Sequence, residues 1–176
     1  WFSPSGTESE RAEVAPDGTF VYGGAHGPDE TMVVVSLSHP LWVARAPGLE
    51  RHQTITLRFP PAPVRTFEVS VSGAVERENR HIGIVIGGVR VPQPALRQHQ
   101  FLRGEPALLR GNGPLRFRDL AETGPIEVLL GPGAGEVPSR LGGIDLFALP
   151  DYADAPRLPL PAGAASVTFE LEIRGR

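Results

Sequence analysis

Residues Gln53 to Val91 constrain this chain more than any other stretch. Ile55, Leu57 and Phe59 alternate with Thr54, Thr56 and Arg58; after a corner holding Pro60, Pro61 and Pro63, Phe67, Val69 and Val71 alternate with Glu68, Ser70 and Ser72. A period of two puts one set of side chains on a core and the other in water, which is the mark of half-buried strands. Proline cannot donate to a ladder, so the proline cluster marks the corner between two strands. The run from His81 to Val91 is apolar on both faces apart from its ends and is expected at the centre of a sheet. Its Gly87-Gly88 pair fits a two-residue hairpin turn, where both positions take positive φ.

Shorter signals extend the pattern. Thr19 to Tyr22, Thr31 to Leu37, Leu115 to Arg118, Ile126 to Leu130, Ile144 to Leu149 and Val167 to Ile173 all read as strands, and Leu41 to Ala44 as a short apolar run carrying Trp42. Pro94 is expected to open a short helix, with Pro at its first position, and Asp119 to Gly124 to make one helical turn. Gly 21 and Pro 19 in 176 residues supply the turns that many short strands need. The expected fold is all-β, an antiparallel β-sandwich of jelly-roll type. Its core is expected to hold Ile55, Leu57, Phe67, Val69, Ile84, Val128, Ile144, Phe169 and Leu171. The organisation expected is a single domain over 1–176, with 1–18 irregular and 150–176 forming a C-terminal extension strand.

Composition excludes several chemistries. There is no cysteine, so disulfides and thiolate metal sites are out. Every basic residue among the 17 is Arg, so no phosphate loop of the kind that ends in Lys is present. The net charge is −3 and no basic cluster occurs, which speaks against nucleic acid as a partner. No apolar run approaches a membrane span. The first residue is Trp1, not Met, and the expectation is that a leader or a larger parent protein lies upstream.

Three pieces of the chain resemble galactose-binding-like jelly rolls, the fold of discoidin domains and many carbohydrate-binding modules. They are Thr54 to Phe59 with its proline corner, Thr66 to Gly73, and Gly142 to Ala148, which is similar to the family's closing strand. The chain lacks the family's paired cysteines and continues past that closing strand. The resemblance implies ligand binding through loops at one end of a sandwich, a structural calcium ion in some members, and no catalysis.

Candidate side chains follow from those chemistries. Sugar rings stack on aromatic faces while Arg, His, Asn and Asp bond their hydroxyls. Trp42 with His39, Tyr152 with Asp151 and Asp154, and Arg80 with His81 and Asn79 are the groupings that fit. Trp42 with His39 leads, because Pro40 turns the chain between two apolar runs. The competing expectation is a buried Trp42, which would favour a structural or protein-interaction domain. Hard oxygen ligands for calcium would be Asp29, Glu30 and Asp145. The histidines His26, His39, His52, His81 and His99 show no metal-ligand spacing. An acid pair for glycan hydrolysis, drawn from Asp29, Glu30, Asp119, Glu122 and Asp145, is a third reading. The leading expectation is a non-catalytic carbohydrate-binding accessory module. It would belong to a larger secreted, periplasmic or cell-surface protein, with a glycan or cell-surface polysaccharide, or other domains of the same polypeptide, as its partner.

Overall fold

The computed structural model describes residues 31–37, 40–47, 61–73, 78–133, 146–149, 152 and 154–171. These residues form mostly strands, arranged in several sheets whose pairings are antiparallel with one exception. Strands β1 (Thr31–Ser36) and β2 (Trp42–Pro47) make a hairpin in which Ser36 faces Trp42. A three-stranded sheet has β3 (Val64–Ser72) at its centre. On one side lies β7 (Leu115–Ala121), antiparallel; on the other lies β10 (Ser166–Glu170), parallel.

The larger sheet is built on β4 (Asn79–Ile86). One edge of β4 pairs with β8 (Ile126–Gly133), which pairs in turn with β9 (Arg157–Leu160). The other edge is shared. β5 (Val89–Val91) takes Ile84 to Ile86, and β6 (Leu109–Arg110) takes Asn79 and Arg80. The helix α1 (Gln93–Leu102) lies between β5 and β6 in sequence.

The two larger sheets share one apolar core. Phe67, Val69 and Val71 of β3, with Leu115 and Phe117 of β7, cluster with Ile82, Ile84 and Ile86 of β4 and Val128 of β8. Phe67 and Phe117 are register partners, and their rings stack at 5.5 Å between centroids. This is a β-sandwich-like arrangement, and the alternation in β3 falls on the expected face. Of the expected core, Phe67, Val69, Ile84, Val128 and Phe169 are buried and Leu171 is partly buried. Ile55, Leu57 and Ile144 lie outside the described residues.

The central placement of β4 is also as expected: every residue from His81 to Ile86 is buried. Its inner face carries the isoleucines. Its outer face carries His81, Gly83 and Val85, and there Val85 and Leu129 pack with Phe147. Phe147 belongs to a 3-10 turn, Leu146–Ala148. That turn corrects the expected strand over Ile144 to Leu149 and the closing strand implied by the resemblance. Leu146 and Phe147 are adjacent and both buried, which a half-buried strand with alternating faces cannot provide. The ring of Phe147 settles on the sheet where Gly83 and Gly131 leave room. A Cβ on Gly83 would stand 2.8 Å from Phe147 Cε2, and one on Gly131 would stand 2.9 Å from Phe147 Cζ.

Other expectations shift in detail. Gly87 and Gly88 make the hairpin turn with φ of 57° and 77°. The helix opens with Pro94 at its second position, where a missing N–H costs no intrahelical bond. Asp119 to Gly124 is not a helical turn. β7 runs on to Ala121 through a bulge, opposite the register shift between Arg65 and Phe67, and Asp119 takes φ of 56° there. Nor is the segment from 150 onward one appended strand, because β9 joins the larger sheet and β10 the smaller. The parallel pairing of β10 with β3 departs from a purely antiparallel sandwich.

Candidate functional site

The most developed polar construction among the described residues lies along one open side of the sandwich, where α1 sits. Two strand edges end there. The β4 edge has no strand partner between its β6 pairing at Arg80 and its β5 pairing at Ile84. The β7 edge away from β3 is open at Arg116 and Arg118. Unpaired edge carbonyls buried without partners are costly. The helix answers both edges with side chains. Gln93 Nε2 donates to the Ile82 carbonyl in the β4 gap. His99 Nε2 lies 2.8 Å from the Arg118 carbonyl, and Gln100 Nε2 donates to the Arg116 carbonyl at 2.8 Å. A carbonyl only accepts, so Nε2 of His99 carries the proton. One residue further along β7, Leu41 takes over. Its N–H donates to Asp119 at 2.7 Å, and its carbonyl accepts from Ala121 at 2.9 Å.

Helical spacing explains the set. Gln93, Leu96 and Gln100 lie on one side of α1, with Ala95 and His99 beside them, and all five are buried. The sequence carried that signal: three polar residues interrupt what is otherwise the helix's core-facing stripe. Replacing Gln93 by Met keeps the shape and removes the donor. The Ile82 carbonyl would then be buried and unpaired, at an expected loss of about 1–3 kcal/mol. Urea denaturation should show a lower midpoint with an unchanged slope.

Above this seam, Arg97 of α1 meets His81 of β4, with Arg97 Nη2 3.1 Å from His81 Nδ1. Guanidinium has no lone pair to offer, so Arg97 donates and Nδ1 must be bare. Burial, and then the charge of Arg97, push the His81 pKa down from 6.5 to about 4. Burial lowers the Arg97 pKa as well. Ion pairs frame the helix: Arg103 with Asp119 at 3.2 Å and Arg118 with Glu105 at 2.7 Å. At the end of α1, Phe101 is 80 % exposed and Leu102 is 55 % exposed.

Of the described residues singled out for ligand binding, Trp42, Arg80, His81 and Tyr152, only His81 joins this construction. Trp42 is 9 % exposed at the start of β2, so its indole offers no open face for stacking. Arg80 is half-buried and bonds Glu78 at 2.8 Å. His81 is the third residue of β4 and is buried, and its ring accepts from Arg97 of α1. Tyr152 is half-buried in a tight turn, donating its N–H to Leu149 and accepting from Ala155, with Asp154 exposed beside it. Of the acid candidates, Asp119 is held by Arg103, and both carboxylate oxygens of Glu122 accept from Arg65 at 3.1 Å. His39, Asp151, Asp29, Glu30 and Asp145 lie outside the described residues.

Among the described residues no group of three or more His, Asp or Glu side chains is placed to hold a metal ion. No described helix is long and apolar enough to cross a membrane. What sequence reasoning missed is the pair of roles of α1: it closes the sandwich's side, and it carries an exposed apolar end. Comparison of the chain with family models, with curated proteins and with solved structures gave no match.

Proposed function

We propose that this chain is a non-catalytic interaction module of a larger exported protein, built on a galactose-binding-like jelly roll and docking against another domain of the same polypeptide. The observation that carries this reading is the Phe101–Leu102 pair. One side of α1 is committed to the two sheet edges, yet its last two residues hold large apolar groups in water. Scattered exposed apolar residues are ordinary, but an adjacent exposed Phe and Leu at a helix end make a small anchor for a protein surface. The burial of Trp42 weighs the same way, since it withdraws the best ring-stacking surface the sequence offered. The two described candidates for an acid pair are both engaged internally, Asp119 with Arg103 and Glu122 with Arg65, which ranks an acid-pair hydrolase last.

Glycan binding is the second reading. It keeps Tyr152 as its stacking group, with the exposed Asp154 beside it. Either reading places the module outside the cytoplasm, in the periplasm, at the cell surface or in the medium.

Oxidative footprinting separates the two. Phe101 should label strongly in the purified domain and be protected when the domain is labelled within its intact parent polypeptide, while Tyr152 labels equally in both. Equal labelling of Phe101 in both states, together with binding of the domain to a glycan array, would replace the first reading with the second.

A further inference from the structure

We propose that α1 is an acid-released clasp: protonation of His81 frees the helix from the β4 edge and bares the two sheet edges that it covers. This concerns a conformational property of the fold and holds whichever partner the module takes.

Side chains hold α1 in place. It contributes Ala95 and Leu96 to the apolar core. Among the described residues it is also held by side-chain bonds to strand edges from Gln93, His99 and Gln100, by the contact between Arg97 and His81, and by the ion pair of Arg103 with Asp119 just past its end. No backbone ladder secures it, and its last two residues stand in water. Elements with few apolar contacts open locally at lower free energy than strands in the middle of sheets. By contrast β3 and β4 are paired on both edges.

The Arg97 contact requires an unprotonated Nδ1. A proton there removes the only acceptor in the pair and sets an imidazolium against a guanidinium at 3.1 Å. The surroundings offer no compensation among the described residues. From α1 the charged group facing His81 is Arg97. From β8 the neighbour is Gly131, and from the 3-10 turn it is Phe147. On β4 itself Arg80 pairs with Glu78, the residue before the strand.

The sign follows from the lowered pKa. While clasped, His81 binds a proton only near pH 4; once the helix lifts, the ring returns to water and toward 6.5. Between those values the open form holds more protons than the closed form, so acid favours opening. The clasp is at full strength above about pH 6.5 and weakens as pH falls toward 4.

The test is amide hydrogen exchange at pH 7 and pH 5, expressed as protection factors, on the wild-type protein and on His81→Asn. Asn Oδ1 offers Arg97 an acceptor near the place of Nδ1 and does not titrate. In the wild type, α1 amides should lose protection on the order of tenfold at pH 5, while β3 and β8 keep theirs. In His81→Asn the α1 protection should be the same at both pH values. Should that variant fail to fold, NMR titration of the wild-type His81 ring serves instead: its protonation should coincide with loss of α1 protection. Uniform loss across all strands, no loss at pH 5, an identical response in His81→Asn, or ring protonation with α1 still protected would each overturn the proposal.

Discussion

Replacing Phe67 by Ala is expected to cost about 3–5 kcal/mol, a large part of what a domain of this size has to lose. Phe67 is 1 % exposed in β3, the centre of the smaller sheet. Its ring stacks on Phe117 of β7, and the core it joins includes the isoleucines of β4 from the other sheet. Truncation removes apolar contact, an aromatic pair and the filling of a cavity bounded by strands that have little room to collapse inward. Chemical denaturation followed by circular dichroism measures the loss. Phe101→Ala is the internal control. Phe101 is 80 % exposed, so its truncation should fall within about 0.5 kcal/mol of wild type. A small loss at Phe67 would mean that the inward face of β3 has been assigned wrongly.

The second large effect is expected on the outer face of the larger sheet. Gly131→Ala adds one methyl, yet that carbon would stand 2.9 Å from the His81 carbonyl oxygen, 2.9 Å from Phe147 Cζ and 3.0 Å from His81 Cβ. The first and third belong to a neighbouring strand and cannot swing aside. Phe147 is itself tied, since Arg90 Nη1 donates to its carbonyl at 2.6 Å. Overpacking of this kind costs about 1–3 kcal/mol, and Val in the same place more. The substitution should also lift Phe147 from its seat, so Val85 and Leu129 beneath it would lose cover. Gly88→Ala separates crowding from backbone strain. Nothing lies within 4 Å of a Cβ there, and only the φ of 77° opposes the change. Thermal denaturation of the two variants should therefore show a pure turn penalty at Gly88 and, at Gly131, a penalty relieved in part by Phe147→Ala.

The strands that could be read from the sequence are those where one residue in two is apolar. β3 shows this, with Phe67, Val69 and Val71 inside and Ser72 in water. β4 was legible for the opposite reason, as a run apolar on both faces next to a Gly-Gly turn. Periodicity gives a face but neither a partner nor a direction, which is why the parallel alignment of β10 beside β3 was hidden. β9 was missed because Arg157-Leu-Pro-Leu carries a proline; Pro159 is tolerated because β9 is the last strand of its sheet. β6 is two residues long, too short to have a period.

The candidate site was legible only in its residue types. Trp42 and His81 were singled out for chemistry that needs exposed groups, and both are buried. Tertiary cover decides that, and the cover over His81 comes from Arg97, 16 residues away. The interrupted stripe of α1 flags Gln93, His99 and Gln100, but which carbonyls they serve depends on where two strand edges stop, and no local pattern encodes that.

Disulfide trapping in this cysteine-free chain tests directly whether β10 lies parallel to β3. In the parallel register Glu170 faces Ser72, and Ser166 faces Glu68. Glu170→Cys with Ser72→Cys should therefore oxidise readily, since paired strands bring Cα atoms within about 4.4–6.8 Å. Ser166→Cys with Ser72→Cys should stay reduced, because four residues of offset along a strand amount to about 13 Å. Efficient cross-linking of Ser166 to Ser72 in place of Glu170 to Ser72 would mean an antiparallel β10 and would contradict the arrangement described here.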